Sequence, residues 1–498
     1  MQGGEGLRTH KRGRGVLWSL AGGLFLAAGV AFAGEQADRA VAAVRQLVAE
    51  GALPAGAVLR LTVKQGNLAS FLGEDEQLKT DWEQATGTVI DARVMPQLAS
   101  RAFIRKDAAV DLTIARSHEM PDLVSEGLVA PLSPLFERFG FALPDRPPEG
   151  YVHVRQQAFF DGQIVAIPAD GDAPLLFLRQ DLMDDPARQA AFLARFGRPL
   201  APPRTWAEYQ TLVAFFDRSD EGFYGALEPR DTLTGWMYWV PRFLAHARPG
   251  QHLFDDAMHP QIDSPEGVAA TASYLATLPY SPPGVRQEGN DYSYTLPLFL
   301  GGKGFSTIIT VAAAKLATNA ASPVLGKVVA APMPGRIEDG RVVPYPTLIY
   351  GNNLVIPARA RQTALAFLFA MWLTDPDISA RSVGVAGGFT DPYRYHHFDD
   401  PRIRAVYGPA FLDVARAQLP YVAPAGTGLP GDSAYLDALS DNLSLAARGG
   451  QSAAEAMRNT ARQWEAITER LGRPAQIAHW RRFRAAFPTV SSAAAPAD

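Results

Sequence analysis

Apolar residues recur at helical spacing between Glu35 and Glu50, where Ala40, Val41, Val44, Leu47 and Val48 share one face before Gly51 and Pro54 end the run. This predicts an added amphipathic helix over 34–56. The regular fold then begins at Val58-Leu59-Arg60-Leu61-Thr62-Val63, read as a strand running into Lys64-Gln65-Gly66-Asn67. Helical spacing resumes through Leu78, Trp82 and Ala85 and stops at Gly87, and Thr88 to Ala92 reads as a second strand. Val110 to Ala115 is a third, with Arg116-Ser117-His118 at its carboxyl end and a helix from about Met120. In an open α/β sheet, ligands sit beyond the carboxyl ends of the strands. Gln65, Asn67, Arg116, Ser117 and His118 are therefore binding candidates, with ordinary solvated turns as the competing reading.

Farther on, two apolar runs, Gly162 to Ala169 and Leu175 to Leu182, flank a polar turn that holds Asp170 and Asp172. Carboxylates in such a turn can accept hydrogen bonds from ligand hydroxyls. They do not by themselves make a glycosidase pair, because adjacent carboxylates need not converge on one bond. Trp206, Tyr209, Leu212, Val213 and Phe216 form the stripe of a helix, and Trp236, Trp239, Val240, Phe243 and Leu244 form another buried face. Tyr238 falls off that stripe. Trp236 and Tyr238 are the candidates for stacking on an apolar ligand face, against core packing as the default. Gly351 would let backbone approach a ligand while Asn352 and Asn353 offer amides, a turn or bulge being the alternative. Three helical stretches, Ala434 to Leu445, Ser452 to Leu471 and Ala475 to Phe487, precede an Ala- and Ser-rich tail from Ser491 to Asp498.

Several of these segments carry a family resemblance. Gly162 to Leu182 followed by Pro203-Arg204-Thr205-Trp206-Ala207-Glu208 resembles the passage between lobes in the extracellular solute-binding proteins of ABC importers, sugar-binding family 1, the maltose-binding-protein-like group. Ala85-Thr86-Gly87-Thr88-Val89, Leu123 to Leu132, Val328 to Gly335, Tyr350 to Pro357 and Gly449 to Ala456 are similar to its other segments. Gly387 to Arg394 resembles its "Gly, x, Pro, x, Arg" loop with the first Pro replaced, which adds Arg394 to the candidates. Gly304-Phe305-Ser306 departs from the family's usual Ala-Ala-Met, and no Trp follows. The resemblance implies an α/β, two-lobed periplasmic binding protein fold of type II, each lobe a mixed sheet flanked by helices, with the ligand cleft between. It implies lobe 1 at 57–169 and 335–395 and lobe 2 at 170–334 and 396–488, with crossings near Ala169, Pro334 and Tyr395. It also implies a membrane permease as partner, a sugar or polyol as the favoured ligand, hinge closure and no enzymatic activity.

Composition narrows this picture. The 498 residues are 47% hydrophobic, enough for two domains. The chain carries a formal charge of −4, and residues 1–33 hold four basic residues and one Glu, which leaves −7 for the remainder. No basic block compensates, which argues against nucleic acid and anionic membranes. With no cysteine there is no disulfide, thiolate metal site or lipid-anchoring thiol. Gly-x-Ser-x-Gly and His-Glu-x-x-His are absent, and Asp255, Asp256 and His259, or His246 and His252, fit no zinc or calcium template. No cofactor or metal is expected. Taken with the resemblance, the expectation is a monomeric, freely diffusing periplasmic binding protein, with a periplasmic glycan-processing enzyme or an accessory subunit without transport role as alternatives.

Arg8, Lys11, Arg12 and Arg14 precede an apolar run from Val16 to Phe32, closed by Ala31-Phe32-Ala33. That is the layout of a cleavable secretory signal. The mature protein should begin at Gly34, and N-terminal sequencing of the exported form checks this. Met1 retained in the membrane fraction contradicts it.

Overall fold

The computed structural model describes residues 34–486 apart from 96–99, 108, 173, 349–350 and 425. The signal expected at 1–33, the tail from Ser491 and Tyr350 lie outside the described residues. Two sheets organise the rest. The first has the strand order Val89–Val94, Val58–Val63, Leu112–Arg116, Asn352–Val355, Ile167–Pro168. Its first three strands run parallel, with Val58 beside Val89 and Leu61 beside Leu112. Asn352–Val355 lies antiparallel to both its neighbours, pairing Asn352 with Arg116 and Asn353 with Pro168. The second sheet has the order Val328–Ala331, Pro174–Arg179, Gly304–Thr310, Tyr224–Leu227. The chain thus passes from the first sheet to the second between Pro168 and Pro174, and returns between Ala331 and Asn352.

All six residues of Pro174–Arg179 are buried, and they serve two cores. Leu176 and Leu178 join a cluster with Trp206, Trp239, Phe243 and Trp464, whereas Leu175 and Phe177 join one with Phe299, Tyr393 and Leu412. Successive side chains of a strand point to opposite faces, so an unbroken apolar run marks a strand covered on both. The C-terminal helices Asp432–Ala447 and Ala453–Leu471 pack on the first of these cores. The expected cap forms there: Ser452 and Glu455 exchange hydrogen bonds in a capping box.

Two local features differ from the sequence reading. Gln65 to Asn67 is not a loop but the first turn of the helix Gln65–Leu72, entered from extended Lys64 and held by burial of Phe71 and Leu72. Residues 335–344 form a hairpin, Gly335–Glu338 against Arg341–Pro344. Its turn is Asp339-Gly340, both at positive φ (46° and 77°), a sequence signal the strand pattern alone does not weigh.

The predicted N-terminal helix is present as Glu35–Ala49. It packs against Thr363–Leu373, a helix with every residue from Leu365 to Leu373 buried. A helix apolar on all sides needs cover on all sides. Ala37, Ala40, Val44 and Leu47 supply it, Gln36 Nε2 donates to the Met371 carbonyl, and the Ala37 N–H donates to Asp375. Leu47→Ala should therefore cost about 2 to 4 kcal/mol in denaturant unfolding. The exposed Gln46→Ala should stay within about 0.5 kcal/mol.

Candidate functional site

Where the chain leaves the first sheet, Asp170 is fully buried and held by three other segments. Its Oδ2 accepts from Asn67 Nδ2 (2.8 Å) and Asn352 Nδ2 (2.9 Å), and its Oδ1 accepts the Asp391 N–H (2.7 Å). Asn352 in turn accepts from Lys64 Nζ at 3.2 Å. Gly171 donates to the Asp391 carbonyl, and a Cβ there would stand 1.8 Å from the Pro392 oxygen, so only glycine allows this crossing.

Beside this knot lies a cavity of about 340 Å³ whose polar floor is Lys64, Asn67, Arg116, Asp170, Asp172 and Asn352. Its walls are apolar and aromatic: Met237, Tyr238, Tyr292, Ile308 and Phe389 among them. The Tyr292 and Phe389 rings stack, 6.0 Å apart and 7° from parallel.

Of the residues expected from sequence, Asn67, Arg116, Asp170, Asp172, Tyr238 and Asn352 line the cavity; Gln65, Ser117, His118, Trp236, Gly351, Asn353 and Arg394 are not among its lining residues. Asn353 is turned to Ser117 Oγ and the Gly351 carbonyl. His118 and Trp236 pack edge to face at 5.2 Å, and burial lowers the His118 pKa to about 4, so it is a neutral packing group. Arg394 is buried, donates to the Glu149 and Thr374 carbonyls and stacks on Tyr151. Lys64, Tyr292 and Phe389 were not among the candidates, because a strand end, a helix start and a Gly-rich loop carry no periodic signal for cleft lining.

Asp391 was also missed. Carboxylate oxygens of Asp170, Asp172 and Asp391 lie within 4.8 Å of one another, all three residues buried. Among the described residues this is the one group able to share a metal ion, yet the Lys64 and Lys315 ammonium groups already face these carboxylates with positive charge. Burial, then the charge of Asp172, raises the Asp170 pKa to about 8. Burial, then Asp170, raises Asp391 to about 7, and burial with Asp391 raises Asp172 well above the usual range. Burial lowers Lys64 to about 8. Near neutral pH the floor therefore holds protons among its carboxyls and offers both donors and acceptors, which suits a hydroxyl-rich ligand.

The family model for bacterial extracellular solute-binding proteins matches residues 65–380. Solved structures of the same fold include an ABC transporter solute-binding protein of Agrobacterium radiobacter K84 in complex with ribitol. It is 20% identical, covers 83% of this chain and 100% of its own, and has a TM-score of 0.66. The maltose-bound MalE3 of T. maritima (19% identity, 82% and 100% coverage, TM-score 0.66) and an ABC transporter solute-binding protein of Thermotoga lettingae TMO with alpha-D-tagatose (18%, 82% and 99%, 0.65) are similar too. These likenesses bear out the two-lobed α/β fold. No curated protein matches the chain.

The carboxyl floor has a pH consequence. The Asp170 pKa is raised from 3.8 to about 8, so between those values the folded state keeps a proton that the unfolded chain releases. Its contribution to stability therefore falls as pH rises through that window. An amide in place of this carboxyl has no such proton to lose, so the thermal midpoint of Asp170→Asn relative to wild type should move in the variant's favour between about pH 5 and about pH 8. A gap constant with pH contradicts the assignment.

Proposed function

We propose that this chain, which belongs to the family of bacterial extracellular solute-binding proteins, captures a sugar or polyol in the cleft between its two sheets for delivery to the permease of an ABC importer. The observation that carries this is the cavity itself: a floor of carboxyls and amides that can match hydroxyls, under the aromatic faces of Tyr238, Tyr292 and Phe389. Pyranose and polyol ligands present this combination of polar edge and apolar face. The ribitol, maltose and tagatose bound by the structural neighbours are of this class.

Function on this reading is binding followed by movement. Asp172 and Asn67 exchange hydrogen bonds with ligand hydroxyls while Asp170 holds Asn67 and Asn352 in place from behind, and Arg116 and Lys64 accommodate the ligand's most electron-rich oxygens. The sheets act as the cores of two lobes, which close over the ligand by rotation about the 169–174 crossing and its partner segments. Closure presents a surface that the permease reads; no covalent bond changes. Export through the signal at residues 1–33 supplies the periplasmic location. Among the described residues no helix is long and apolar enough to cross a membrane.

Calorimetric titration with ribitol, tagatose and maltose tests the assignment, with heat of binding and no turnover as the expected result. Asp172→Ala should weaken the bound member about ten- to a hundredfold, because the ligand hydroxyl that this carboxyl pairs with is then left buried without a partner. Tyr238→Ala should weaken it as well, through loss of the aromatic face. Affinities within about twofold of wild type for both variants would remove this cavity from recognition.

A further inference from the structure

Lys315 is 3% exposed, in the short helix Ala313–Ala317 that follows Gly304–Thr310 of the second sheet. Its Nζ donates to four backbone carbonyls of one loop: Val383 (2.7 Å), Val385 (3.0 Å), Gly388 (3.2 Å) and Thr390 (3.5 Å). The Tyr407 ring centroid lies 4.7 Å away, and the Tyr407 hydroxyl donates to the same Thr390 carbonyl. An ammonium has three protons and no acceptor, so four converging carbonyls and an aromatic face form a complete cage for it.

The caged loop has its outer side on the first sheet. The Phe389 N–H donates to the Gly66 carbonyl in the helix Gln65–Leu72, and a Cβ on Gly388 would stand 2.1 Å from Ser70 Oγ. Gly387 and Phe389 line the cavity, and the Asp391 N–H donates to Asp170. One side of the loop is thus fixed to an element of the first sheet and the other to a cation carried by the second.

We propose that Lys315 is a positioning residue for ligand binding: its ammonium winds residues 383–391 around itself and so sets Phe389 against Tyr292 and Asp391 against Asp170 and Asp172. The role depends on reading the cavity as the ligand site, but the cage and its effect on the loop do not. Its pKa, which burial lowers to about 8, leaves the group mostly charged at neutral pH. Carbonyls turned inward with no cation between them would repel one another, and the other donors to them, the Gly388 N–H to Val385 and the Tyr407 hydroxyl to Thr390, carry no charge to hold all four together. Removal of the charge should therefore release the loop.

Hydrogen exchange on the full mature chain without added solute reads this directly. Lys315→Met, which keeps the length of the stem, should speed exchange of the amides of Val385, Gly388, Phe389 and Asp391 about ten- to a hundredfold, with strands Val58–Val63 and Pro174–Arg179 unchanged. Loop exchange within about twofold of wild type overturns the proposal. If Lys315→Met does not fold, Lys315→Ala refolded with propylammonium, which replaces the missing three carbons and nitrogen, decides instead. Recovery with propylammonium but not with tetramethylammonium supports the cage, and no recovery overturns it. In calorimetry against ribitol, tagatose and maltose, Lys315→Met should bind the preferred probe about tenfold or more weakly. Wild-type affinity in a variant whose loop is released overturns the positioning role. If none of the three binds wild type, the sugar-or-polyol reading fails while the exchange result still decides the cage.

Discussion

A buried carboxylate at the crossing between sheets governs the architecture of the cleft. Asp170 has no contact with solvent, and a charge or proton so placed is tolerated only where donors are already waiting. They come from Asn67 on the helix after the first strand, Asn352 on the antiparallel strand and the backbone of Asp391, three segments far apart in sequence. The adjacent Gly171 lets the 389–393 segment pass within van der Waals contact. The crossing therefore forms only when all four pieces of chain are in place. That makes it a rigid junction with the cavity at its side.

Wall and floor of the cavity handle buried charge in opposite ways. Under Tyr238, Glu228 is completely buried; burial works to raise its pKa, but Arg242 and Arg230 outweigh this and hold it at about 2. Arg242 also donates to the Tyr238 carbonyl, and Arg230 lies 5.8 Å from its ring centroid, so a buried cluster of two guanidiniums on one carboxylate fixes the wall. The floor's Asp170 and Asp172, with Asp391 beside them, have raised pKa values and share protons instead. On the proposed function, a fixed wall with an adjustable floor divides the work: the wall meets the apolar face of the solute and the floor its hydroxyls.

What the sequence made legible follows from which signals are local. Strand 174–179 was readable because the five apolar residues Pro174 to Leu178 in a row leave no alternative to a two-sided core, and the Ser452 cap because Ser and Glu three apart satisfy each other's backbone. Asp170 and Asp172 stood out as acids in a turn between apolar runs. Asp391 did not, because its significance lies in proximity to residues more than 200 positions earlier. Arg394, close by in sequence, was a binding candidate through its loop and is a packing group, since a guanidinium can be satisfied by carbonyls and a tyrosine face without any ligand. Lys315 gave no sequence signal at all: its cage is built from backbone atoms, which every residue has.

The N-terminal helix shows where the family pattern stops describing this chain. The family match begins at residue 65, yet Ala37, Ala40, Val44 and Leu47 belong to the same core as the first sheet and the helix Thr363–Leu373. A segment that merely decorated the surface would leave that core closed without it. Here the covered helix is apolar on every side, so the face under Glu35–Ala49 has no polar residues with which to meet water. Gln36 also bonds the Met371 carbonyl, and the same helix supplies an N–H to Asp375, whose carboxylate caps the next helix at Asp377 and Ile378. That next helix, Pro376–Val383, ends at the first carbonyl of the Lys315 cage. The added helix thus stands at one end of a continuous chain of packed elements whose other end is the cavity wall at Phe389, and this fixes its place as part of the fold that forms the cleft.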